Sequence, residues 1–328
     1  MRSFKRVLMP LIMIAVFIIV LFAADFILYP CTFMRNDIHA ICVNEYDDVF
    51  VGTSHGKMNI DPETMEKVTG RTGHNLCVGG EYPLDVLYMV KLMIERGHAP
   101  KRVVYEVSPG YFVREKEVGN NYLLFYHEFP LSFTKLDYFR AALLKCDFRT
   151  WFFPWYEYDL SYEISHAKEN ITKKFSKDYS ADSFATGTQK YHESGFIERY
   201  PVEVDELKAE LLEEDNVEEW FPEDIIETNM DNLESIIKIC KENDIEFVAV
   251  TTPLSDEVLK IAGDGNSALN DYYKEFFEKA GVKYINFNYG EYYDMADHSL
   301  EGYTDLDGHM NGDAARSFSK LLAEVLED

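Results

Sequence analysis

Asp48-Val49-Phe50-Val51-Gly52-Thr53-Ser54-His55 is the stretch whose reading decides the fold. Its β-branched and aromatic run predicts a buried strand. The stop at a glycine followed by small hydroxyl residues is how a doubly wound sheet delivers a side chain to its carboxyl edge. Ser54 is therefore a candidate nucleophile. An unassisted hydroxyl attacks poorly, so the candidate demands a base, an orienting carboxylate and oxyanion donors elsewhere in the chain.

Outward from that stretch, strands and helices alternate. Asp61-Pro62-Glu63 starts a helix that Gly70 ends, and Asn75-Leu76-Cys77-Val78 reads as a second strand closed by Gly79-Gly80. A helix from Pro83 to Gly97 follows, then a third strand over 102–107. The rhythm breaks between 119 and 224, where aromatics, then polar and acidic residues, predict an insertion that is helical in parts. Its aromatics, crowded from Tyr122 to Tyr162 and including Trp151-Phe152-Phe153-Pro154-Trp155-Tyr156, read as a satellite core, as contact with a membrane interface, or as a platform for a sugar ring. Further strands at 246–250 and 282–287 and a closing helix with Ala315, Phe318, Leu322 and Val325 complete the pattern. The expectation is one three-layer α/β/α domain over 47–328, flavodoxin-like, with a five-stranded and mainly parallel sheet.

The chain has 328 residues, 47% of them apolar and 15% aromatic, which argues against disorder. Its net charge of −26 excludes nucleic acid as an expected partner. Cys31, Cys42, Cys77, Cys146 and Cys240 lack the spacing of a zinc or redox motif, so no metal or other cofactor is expected. Arg2, Lys5 and Arg6 precede an uncharged apolar run from Val7 to Ala24. That run is long enough to cross a bilayer, and the basic flank puts the N-terminus in the cytoplasm and the body outside. It exceeds a signal peptide's apolar core, and Phe22-Ala23-Ala24 is a poor cleavage site, so 1–29 is expected to be an uncleaved anchor in membrane lipid. Residues 30–46 show no strong period and read as a juxtamembrane connector.

The base and carboxylate that Ser54 requires are found together just before the last helix, in Tyr303-Thr304-Asp305-Leu306-Asp307-Gly308-His309-Met310-Asn311-Gly312. His309 can accept a proton, and Asp305 or Asp307 can fix its tautomer. Asp305-Leu306-Asp307 opens like a calcium loop, but His309 takes the third oxygen position and no Glu stands at the twelfth. His55 follows the nucleophile and joins Asn75 and Ser108 as candidate substrate contacts.

Together these blocks resemble the SGNH/GDSL hydrolase superfamily. Gly52-Thr53-Ser54-His55 is similar to its Ser block, Asn75 to Gly80 to its Gly block, and Asp305 to His309 to its final Asp-x-x-His block. Thr53 and His55 replace the common Asp and Leu, no Gly-x-Asn-Asp follows the third strand, and Gly308 reads as a one-residue insertion that aligns Asp305 with the family's Asp. The resemblance implies a Ser54–His309–Asp305 triad, with Asp307 the alternative, and an oxyanion hole from the backbone N–H groups of Ser54 and Gly79. Ser108-Pro109-Gly110-Tyr111-Phe112, the anchor and the insertion narrow the resemblance to D-alanyl transfer proteins and related cell-surface O-acyltransferase helpers. That likeness implies a serine O-acyltransferase or esterase on cell-envelope polysaccharide or teichoic acid, working with a membrane-bound O-acyltransferase. The alternative it leaves is a non-catalytic glycan-binding or assembly protein.

Overall fold

Alternate residues of the central strands feed two separate cores, which makes the body three layers deep. Val49, Val51, Val103, Tyr105, Phe247 and Ala249 join one apolar cluster, while Phe50, Val104, Val248 and Val250 join another. The computed structural model describes residues 2–29, 32–115, 125–145, 148–152, 164–176, 186–213 and 219–327.

The chain begins with helix α1 (Arg2–Leu28) and continues with α2 (Phe33–Val43), β1 (Asp48–Val51), α3 (Ser54–Asn59), α4 (Pro62–Thr69), β2 (Gly73–Asn75), α5 (Pro83–Arg96) and β3 (Arg102–Glu106). The insertion contains α6 (Phe133–Ala142), α7 (Ala167–Phe175), the strands β4 (Gln189–Tyr191) and β5 (Ile197–Arg199), and α8 (Val204–Glu213). The body then resumes with α9 (Glu227–Glu242), β6 (Glu246–Thr251), α10 (Gly263–Ala280), β7 (Lys283–Asn286) and α11 (Gly312–Glu327). The five body strands run in the order β2-β1-β3-β6-β7, every pair parallel. Helices α2, α5, α9 and α10 cover one face, and α4 and α11 cover the other. Strand order reverses between β1 and β3, so a crevice is expected beyond their carboxyl ends.

Local signals end the elements where expected. Asp61 caps α4 by accepting from Glu63 N, and Gly97 closes α5 in the left-handed region at φ +76°. The Asn311 side chain accepts from Ala314 N at the head of α11. β2 proper covers only 73–75, yet Leu76 N and Val78 N still donate to the Phe50 and Gly52 carbonyls at 2.8 and 3.0 Å, so the chain stays alongside β1 until the turn at Gly79-Gly80.

Three features differ from the sequence reading. The connector 30–46 contains α2, whose Met34, Ile38 and Ile41 are buried at helical spacing in the main core. Its apolar stripe is diluted by Arg35, Asn36, Asp37 and His39, which hid the period. The insertion carries the β4–β5 hairpin, whose three-residue strands are too short to show alternation. Its buried aromatics Phe125, Phe129 and Tyr138 belong to the main core rather than to a satellite. Residues 119–124 and 153–163, with Trp155 and Tyr156, lie outside the described residues.

At the N-terminus, Leu8–Leu28 forms 21 residues of helix with a mean hydropathy of 3.0 and none of its apolar window buried in the protein. A membrane span or a signal sequence accounts for such a helix.

Candidate active site

β1 ends at Gly52, whose φ of +136° and tight approach to β3 admit no side chain: a Cβ there would stand 2.6 Å from the Glu106 carbonyl oxygen. The chain turns at once into α3, with Thr53 as its N-cap and Ser54 as its first residue. Glu106, 1% exposed at the end of β3, holds this turn from below. One carboxylate oxygen, Oε2, accepts from Thr53 N at 2.8 Å and from Thr53 Oγ1 at 2.7 Å. The turn that bears Ser54 is thus fastened to the strand across the switch point.

The partner loop is closed on itself. Tyr303 and Met310 form an antiparallel bridge, Thr304 N donates to the His309 carbonyl at 2.8 Å, and Gly308 turns the chain at φ +99°. Asn59, in α3 and fully buried, binds the loop on both sides of His309: it donates to Gly308 O at 3.0 Å and accepts from Met310 N at 2.8 Å. Ser54 and His309 are therefore held by one helix.

The side chains meet as a relay. Ser54 Oγ lies 2.8 Å from His309 Nε2, and His309 Nδ1 lies 2.8 Å from Asp305 Oδ2. Asp305 Oδ1 also accepts from His309 N at 3.2 Å. Asp307, two residues on, is exposed and makes no such contact with the imidazole. Burial pushes the Asp305 carboxyl up, but the hydrogen bond and charge of His309, with the Arg199 guanidinium, outweigh it and hold the group below the ordinary carboxylate range.

Arg199 was not foreseen. It stands at the end of β5 and donates from Nη1 to Asp305 Oδ2 at 2.6 Å, with His309 Nδ1 3.3 Å away. A protonated Nδ1 cannot accept from Arg199, and the shorter contact to the carboxylate assigns that proton to the His309–Asp305 bond. Only the hairpin's tertiary position carries this signal. The guanidinium also bears on metal binding, since ligand atoms of Asp305, Asp307 and His309 cluster within 4.8 Å of one another. Its positive charge already neutralises Asp305 and opposes a cation there.

His55 points to the other side. Its Nδ1 faces Glu106 Oε1 at 3.8 Å, and its ring meets the His309 ring edge-on with centroids 5.2 Å apart. Burial lowers its proton affinity more than Glu106 restores it. It lines a small cleft with Thr251, Leu254, Tyr284 and Asn286, so a contact with substrate remains open to it. Asn75 does not have that freedom. It is fully buried, donates to the Gly56 and Ile60 carbonyls at 2.8 Å each and accepts from Cys77 N at 3.0 Å, so it braces α3 instead of meeting a substrate. Ser108 is 8% exposed just past β3. Gly79 borders the Ser54 hydroxyl: a methyl group built on it would stand 3.5 Å from Ser54 Cβ and 3.9 Å from Oγ.

No family model and no curated protein matches the chain. Solved structures similar to it include a Bacteroides fragilis protein assigned as an acylhydrolase, at 13% identity and TM-score 0.38 over 87% of this chain and 88% of the other. Another is a GDSL-like lipase from Bacteroides thetaiotaomicron, at 11% identity and TM-score 0.36 over 85% and 87%. A third, from Streptococcus pneumonia and assigned as a platelet activating factor, aligns at 12% identity and TM-score 0.39 over 89% and 90%. With overlaps this loose, the chemistry of the site rests on its own distances.

Proposed function

We propose that the chain is a membrane-anchored serine acyl-transfer enzyme, and the observation that carries this reading is the continuous Ser54–His309–Asp305 relay at 2.8 Å per link. Ser54 Oγ attacks the carbonyl carbon of an ester or thioester while His309 Nε2 takes its proton. Asp305 keeps the other imidazole nitrogen protonated and steadies the imidazolium. The backbone N–H groups of Ser54 and Gly79 are the candidate donors to the oxyanion. Collapse releases the alcohol or thiol with the proton from His309 and leaves an acyl-Ser54 ester. A hydroxyl of envelope polysaccharide or teichoic-acid-type polymer, or water, then attacks that ester as His309 accepts its proton, and collapse breaks the acyl–Ser54 bond, with His309 returning the proton to Ser54 Oγ as the acylated product leaves. The apolar helix at Leu8–Leu28 supports an acceptor close to a membrane, because tethering raises the effective concentration of enzyme near it.

A fluorophosphonate probe tests the core of the reading. A single adduct on Ser54, absent from Ser54→Ala, is expected; folded protein that shows no adduct overturns it. Intact mass measured with acetyl and D-alanyl donors then identifies the acyl group.

A further inference from the structure

We propose that the insertion is a membrane seat: α7 and the segment 131–136 rest on an anionic lipid surface around the body-side end of α1, with Leu131, Phe133 and Phe175 dipping into it. This rests on reading α1 as a bilayer span.

Two parts of the insertion clasp the end of that helix. From α7, Asn170 Nδ2 donates to the Leu28 carbonyl at 3.0 Å, and Lys174 Nζ donates to the carbonyls of Tyr29, at 2.6 Å, and Phe26. These bonds satisfy carbonyls that the last turn of a helix leaves without intrahelical partners. The Phe175 ring lies 5.7 Å from the Phe26 ring. From the other side, His127 Nε2 meets Asp25 Oδ2 at 2.8 Å, and its ring stacks on Tyr29. Lys135 of α6 donates to the His127 carbonyl at 3.3 Å and the Phe129 carbonyl at 2.7 Å, which binds the 131–136 segment to the same place.

The surface this clasp presents is apolar throughout and basic along α7, while beside Phe133 the exposed Glu95 carboxylate accepts from Phe133 N and Thr134 N at 2.9 and 2.7 Å. Leu131 is 86% exposed, Phe133 82% and Phe175 76%, against 73% for Phe22 in the middle of the apolar helix itself. Single exposed apolar residues are ordinary, but side chains this bare beside the end of a membrane helix belong with its lipid surroundings. α7 carries Lys168, Lys173 and Lys174 against Glu169, a net excess of positive charge in a chain whose overall charge is −26. A basic helix bearing an exposed aromatic at the bilayer boundary matches lipid headgroups, because anionic lipid attracts lysine and the interface accepts aromatic rings. Continuity with α1 favours lipid over a second polypeptide as the occupant. The body, and Ser54 with it, is then held at a set height above the membrane instead of hanging from a flexible stalk.

The test uses the full chain in nanodiscs of phosphatidylcholine and phosphatidylglycerol, with the photocrosslinker p-benzoylphenylalanine placed in turn at Phe133, Phe175, Phe17 and Val68. Phospholipid-mass adducts are expected at Phe133 and Phe175 as readily as at Phe17 in α1, with none at Val68 on α4. Adducts at Phe17 alone, or crosslinks from Phe133 and Phe175 to a second copy, overturn the seat. No lipid adduct at Phe17 overturns the span and the seat together. Equal yields at Phe175 with and without phosphatidylglycerol remove the anionic component. Ser54 labelling by fluorophosphonate, run on the same samples, reports on the acyl-transfer reading separately.

Discussion

Two imidazole–carboxylate pairs flank Ser54, and their differences show what makes a base. His309–Asp305 is in contact at 2.8 Å, is partly open to solvent and reaches the Ser54 hydroxyl. His55–Glu106 is separated by 3.8 Å, its carboxylate is buried, and the carboxylate's hydrogen bonds go to Thr53. The histidine adjacent in sequence faces Glu106 and leans edge-on against the His309 ring, while one 255 residues distant supplies the contact to Ser54. A side chain at the first position of a helix diverges from its neighbour by about 100° of helical turn, so adjacency in sequence works against adjacency in space. In the proposed reaction the first pair carries the proton, and the second helps build the turn.

The sharpest way to break this contrast is to remove a member of the relay. Ser54→Ala or His309→Ala should lower kcat by about 10⁴–10⁶-fold, as in other serine relays, while His55→Ala stays within about tenfold, measured by ester turnover at saturating substrate. Equal losses for the two histidines would place His55 in the catalytic machinery beside His309, and a larger loss for His55 would mean that the pairs have been assigned the wrong way round. Next in size, Asp305→Asn should cost about 10⁴-fold by releasing the imidazole tautomer, and Asp307→Asn should leave kcat unchanged.

For the buried pair the readout is stability. Glu106→Ala strands the Thr53 N–H and hydroxyl in the interior and should lower the unfolding free energy by about 2–4 kcal/mol in a urea titration. Asp305→Asn carries a different signature. Because the folded-state Asp305 carboxyl binds its proton less tightly than it does in the unfolded chain, it adds stability above the ordinary carboxylate range. That stability is lost as pH falls through the lowered value, so the variant's stability should decline less on acidification. The smallest effect is expected at Arg199. Arg199→Ala removes the guanidinium that donates to Asp305 Oδ2, so the carboxylate is held less firmly against the imidazole and kcat/KM for ester turnover should fall by about tenfold. An unchanged kcat/KM would reduce Arg199 to a brace between hairpin and loop.

Much of the fold is legible in the residues themselves. β1, β3 and β6 are continuous apolar runs because both faces of a parallel sheet are covered, and α4, α5 and α11 announce their ends through Asp61, Gly97 and Asn311. These are local effects of propensity, capping and burial. α2 was hidden because its buried stripe is narrow, and β4–β5 because three residues cannot display a period.

The site divides along the same line. Ser54 and His309 could be named from their motifs, since glycine-bounded turns at strand and helix ends are local features. The motif alignment put Asp305 ahead of Asp307 without removing the second, because both carboxylates have the same chemistry and stand two residues apart. The closed 303–310 loop, turned at Gly308 and held by Asn59, decides which one faces the imidazole. Arg199 and Glu106 enter for the same reason: each acts across contacts more than fifty residues apart in the chain. The sequence by itself determined the layers, the apolar helix and the candidate nucleophile and base. Tertiary structure separated the two candidate carboxylates, and it alone decided the guanidinium partner and the brace under the turn, because those roles depend on distances that exist only once the sheet has packed.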